Sequence, residues 1–82
     1  MEKFILINKA RSRIKVFEPF DDSSMIPSMI NAILISYGWV LKRSSKPIMK
    51  GSRVESIEKA RKEYKKLLEE GWEETYRFNS FF

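Results

Sequence analysis

Two short runs rich in β-branched and aromatic residues open the chain, "KFILIN" (3–8) and "RIKVF" (13–17), joined by "KARS". In the second, Ile14 and Val16 alternate with basic residues as on a half-buried strand, so the pair predicts a β-hairpin. Pro19 ends the second strand in this reading, because proline has no N–H to give to a ladder. "DDSS" then supplies a turn and candidate helix caps.

The next apolar segment carries two readings. Ile26, Met29, Ile30, Ile33, Leu34 and Tyr37 recur at i, i+3, i+4, i+7, i+8 and i+11, one face of a helix, with Pro27 in its first turn and Gly38 at its stop. That periodicity favours a helix. The alternative pairs "AILIS" with "WVLKR" as strands of a second hairpin, since isoleucine and valine favour strands. Trp39 to Arg43 then reads as a third strand and "SSKPIMKGS" as a loop or short edge strand interrupted by Pro47, with Gly51 and Ser52 marking a turn.

"SIEKARKEYKKLLEEGW" (56–72) is the most sharply delimited element. Ser56 is an N-cap candidate, and Glu58 falls in the first turn, where the helix dipole favours an acid. Ile57, Ala60, Tyr64, Leu67 and Leu68 form the apolar stripe. Gly71 at C′ sets Trp72 against Leu67 in a Schellman closure. Glu58 and Lys62, Lys59 and Glu63, Lys65 and Glu69, and Lys66 and Glu70 are spaced for i,i+4 pairing on the outer face. "TYRF" (75–78) follows as a final short strand, then "NSFF". The expectation is a single α+β domain over residues 1–82: a small antiparallel sheet, made of the N-terminal hairpin plus a third strand, packed with two helices, with 79–82 a flexible end.

At 82 residues the chain supports one modest core, and a 43% hydrophobic share is enough to build it. The absence of cysteine suits a reducing compartment, and Met1 to Asn8 lacks the pattern of a signal peptide. Met25 to Leu41 is interrupted by Pro27, Asn31, Ser36 and Gly38, so no membrane span is expected. These features together suggest a cytoplasmic protein.

The net charge of +5 is unevenly spread: residues 1–20 sum to +3, 21–41 to −2, 42–53 to +5 and 54–82 to −1. With neither His nor Cys, the chain lacks the commonest metal ligands and the usual base for a nucleophile. Its three glycines form no phosphate-cradling motif. Neither an enzyme nor a cofactor is expected. The candidate chemistry is the acid-free stretch "KRSSKPIMKGSR", where Lys42, Arg43, Lys46, Lys50 and Arg53 stand among serines suited to phosphate oxygens. That pattern points to a nucleic-acid partner, or to an acidic protein surface, provided no carboxylate neutralises the five cations. Tyr37 and Trp39 are near enough in sequence to stack on bases, although aromatics there also suit a core. The competing reading is a protein-interaction module using Phe78, Phe81 and Phe82 as an exposed aromatic tail.

"IMKGSR" followed by "SIEKARKEYKKLLEEGW" resembles a family of short cyanobacterial proteins known only as a domain of unknown function, whose helix closes in Gly-Trp. Ala60, Tyr64, Leu67, Gly71 and Trp72 match that pattern, in which Trp is more usual at the position of Tyr64, and "IKVFEP" is similar to the family's early strand. The likeness covers roughly half the chain, Ile48 to Trp72 most clearly, while residues 25–37 depart from it. It implies a cyanobacterial or cyanophage-like origin and no site residues.

Overall fold

The computed structural model describes residues 3–20, 32–41, 46–76 and 78. Five strands and one helix follow in the order β1 (Phe4–Ile7), β2 (Arg13–Phe20), β3 (Ala32–Trp39), β4 (Ile48–Ser56), α1 (Ile57–Glu69) and β5 (Glu73–Glu74). The strands form one antiparallel sheet in the order β4-β3-β2-β1-β5. The molecule is therefore α+β as expected, but with a larger sheet and, among the described residues, one helix instead of two.

The hairpin forms where the alternation places it. Asn8 organises its turn: the side-chain Oδ1 accepts hydrogen bonds from the backbone N–H of Ser12 (2.8 Å) and Arg13 (3.0 Å), while Arg11 takes the left-handed conformation at φ 58°. β2 continues through Pro19 to Phe20, which corrects the expected stop. β1 starts opposite Phe17, so among the described residues β2 from Glu18 onward has a ladder partner only in β3, and the missing proline N–H leaves no gap.

Residues 32–39 correct the second reading. Ile33, Leu34 and Tyr37, expected on a helix, lie on a single strand that runs through Tyr37 and Gly38, so neither the helix nor the second hairpin describes them. Residues 21–31, which hold the expected "DDSS" turn and the first part of that helix, lie outside the described residues. The third strand thus begins at Ala32, seven residues before the expected Trp39. "IMKGSR" is strand as well: β4 pairs with β3 from Ser56 to Ile48, and the register shifts by one between Tyr37 and Gly38, leaving Lys50 opposite no partner. Gly51 and Ser52 stand within this strand and mark no turn.

Alternation along the strands divides the buried side chains between two faces. Leu6, Phe17 and Ile35 lie under α1, packed with its Ala60 and Leu67, with Tyr64 and Trp72 closing the margin. On the other face Ile5, Ile7, Ile14 and Val16 pack with Val40 and Phe78. Ser56 caps the helix by accepting a hydrogen bond from the Lys59 N–H (3.3 Å). At the far end Gly71 has φ 99°, the Trp72 N–H donates to the Leu67 carbonyl (3.0 Å) and the Gly71 N–H to that of Leu68 (3.1 Å), the Schellman pattern. β5 comes two residues earlier than the expected "TYRF" strand, and the Thr75 N–H extends its pairing to the Ile5 carbonyl (2.8 Å).

Candidate nucleic-acid interface

α1 crosses its face of the sheet and leaves a cleft on either side. Beside its first half lies an apolar cleft of about 510 Å³ lined by Phe4, Phe17, Pro19, Ile33, Ile57 and Tyr64, with Arg61 as its one charged group. The Tyr64 hydroxyl donates to Glu74 (3.3 Å). Burial pushes the phenol above its ordinary pKa of 10.0, and the Glu74 charge, the hydrogen bond to it and Tyr76 add to the rise.

The other cleft, about 690 Å³, lies below the second half of the helix, over β2, β3 and β4. Its chemistry differs: Arg13, Lys15 and Arg53 line it together with Tyr37, Trp39 and Trp72. The ladder explains the grouping, because Arg13 pairs with Trp39, Lys15 with Tyr37, and Tyr37 with Gly51 two residues before Arg53. The Arg13 guanidinium sits 4.4 Å from the centre of the Trp39 ring, and Lys15 Nζ lies 5.9 Å from that of Trp72. Tyr37 and Trp39 remain 44% and 39% exposed, so they are not core residues.

Carboxylates temper the charge. Lys15 bonds Glu63 at 3.2 Å, Arg53 bonds Glu55 at 3.3 Å, and the Arg53 guanidinium also donates to Glu63. Glu63 therefore turns toward the sheet and joins helix to strands, and none of the four expected i,i+4 pairs on α1 closes as an ion pair. Glu70 also lines the cleft.

The five expected basic residues thus separate. Lys50 is exposed within the edge strand and not in a loop, and Lys46 is exposed two residues before that strand begins. Arg53 corrects the expectation of un-neutralised cations, since two carboxylates hold it. Lys42 and Arg43 lie outside the described residues. Phe78, expected in an exposed tail, is fully buried, which corrects that part of the protein-interaction reading; Phe81 and Phe82 also lie outside the described residues. Sequence reasoning passed over Arg13, Lys15 and Trp72. Alternation along "RIKVF" put the two bases on one face of β2, but only the β2–β3 register shows that this face carries the aromatics.

Among the described residues no group of three or more His, Cys, Asp or Glu is placed to hold a metal ion, and no helix is long and apolar enough to cross a membrane. No protein-family model, curated protein or solved structure matches the chain.

Proposed function

We propose that this is a small non-enzymatic binding protein for an anionic partner, a nucleic acid ahead of an acidic protein surface, acting in the cytoplasm. The observation that supports the reading is the pair of exposed rings, Tyr37 and Trp39, standing among Arg13, Lys15 and Arg53 on one sheet face. Interleaved aromatic and cationic side chains suit a polymer of bases and phosphates. The reading moves the contact from a basic loop to the sheet face that carries Arg13, Lys15 and Arg53. Leu41 and Ile48, exposed near Trp39, favour a second reading in which the same end contacts a protein.

The test is a titration of a labelled single-stranded RNA oligonucleotide at several salt concentrations. Since carboxylates already hold Lys15 and Arg53, about one phosphate is neutralised, by Arg13, and log affinity falls with log salt at a slope of about −0.7. Absence of binding at low salt, or a flat response, rules the reading out.

A further inference from the structure

Resting on that reading, we infer that the cleft takes two bases of a single strand, stacked on Tyr37 and Trp39, and rejects a duplex. Both rings project from the same face of β3, two residues apart, which separates them by about 6.7 Å along the strand. That interval is about twice the 3.4 Å spacing of stacked bases. It suits two neighbouring bases held apart, one on each ring.

The two rings are held differently. A Cβ on Gly51 would lie 2.8 Å from the Tyr37 hydroxyl oxygen and 3.1 Å from Cζ. Tyr37 therefore leans across β4, its phenol end resting over the glycine, with much of its surface open to the cleft. Trp39 has one ring face covered by the Arg13 guanidinium. Gly51 is accordingly a positioning residue for Tyr37. A base offers a free π-face only when it is unpaired or at a duplex end, so rings arranged this way select single strands. With Glu55 and Glu63 already on Arg53, and Glu63 also on Lys15, stacking carries the discrimination while charge supplies general attraction.

The experiment uses the full chain with a fluorescein-labelled dodecamer of uridine and, separately, a blunt RNA duplex of equal length, reading anisotropy and tryptophan fluorescence. The single strand is expected to quench the fluorescence and to bind at least tenfold tighter than the duplex. Tyr37→Leu and Trp39→Leu, which keep apolar cover, are each expected to weaken binding roughly 5- to 100-fold with the salt slope unchanged. Gly51→Ala, which displaces Tyr37 without altering charge, is expected to weaken it in the same direction, with circular dichroism verifying the fold. Equal affinity for duplex and single strand, or unchanged affinity in both leucine variants, overturns the stacking inference while leaving salt-dependent nucleic-acid binding standing. Failure to bind either RNA overturns both the stacking inference and the nucleic-acid reading, and binding to polyglutamate in its place would identify an acidic protein surface as the partner.

Discussion

A methyl group at position 38 would meet the Ile48 carbonyl and come within 2.9 Å of the Met49 Cα, backbone atoms that cannot turn aside. Gly38→Ala is therefore expected to cost about 1–3 kcal/mol, as for other overpacked sites, read as a lower urea midpoint at unchanged slope. Tyr64 gives a pH-dependent counterpart. Its phenol pKa is raised in the fold, so the neutral form is favoured there. The associated stability is complete below about pH 10, the unfolded value, and is lost as pH rises through the higher folded value. Tyr64→Phe keeps a ring to pack edge-on against Phe4 and Phe17 but removes that titration. Its unfolding free energy is expected to fall less steeply above pH 10 than that of the parent protein.

At the scale of the elements, the Ser56 cap gives a clean test: Ser56→Ala is expected to lower stability by about 1 kcal/mol in denaturant unfolding, whereas Ser56→Asp retains it. This helix was legible because local chemistry defines it, with a capping serine at one end, glycine at the other and an apolar stripe between. The hairpin was legible for a similar reason. β3 was not: Ile33, Leu34 and Ile35 are consecutive apolar residues on a strand with packing on both faces, so alternation vanishes and a helical period fits by coincidence. β4 was legible only in part: the edge-strand alternative holds from Ile48, but the turn expected at Gly51 and Ser52 does not form. Lys50, Gly51, Ser52 and Arg53 are small or polar residues at a sheet edge, and nothing in such a run distinguishes strand from loop. The candidate site inherited both difficulties, because a cleft made by three strands depends on register. Composition located basic residues near it but could not show Glu63 reaching across from the helix to Lys15 and Arg53.

For the molecule as a whole, Phe78 ties the segment after β5 to the face opposite α1, where it is wholly enclosed with Ile5, Ile7, Ile14 and Val16. Phe78→Ala is expected to cost about 3–5 kcal/mol, a sum comparable with the total stability of a domain this small. Loss of a cooperative melting transition in that variant is the expected outcome; a small shift in Tm would show that the enclosure contributes little. The nine-residue β4 is the outermost strand, and among the described residues nothing pairs with its far side. Such a strand is a template on which further copies can polymerise, and proteins guard it with charge and irregularity. Lys50, Arg53 and the register slip thus double as a safeguard against fibril growth. Lys50→Ile combined with Ser52→Val should accordingly yield fast-sedimenting assemblies in the ultracentrifuge at protein concentrations where the parent chain yields none.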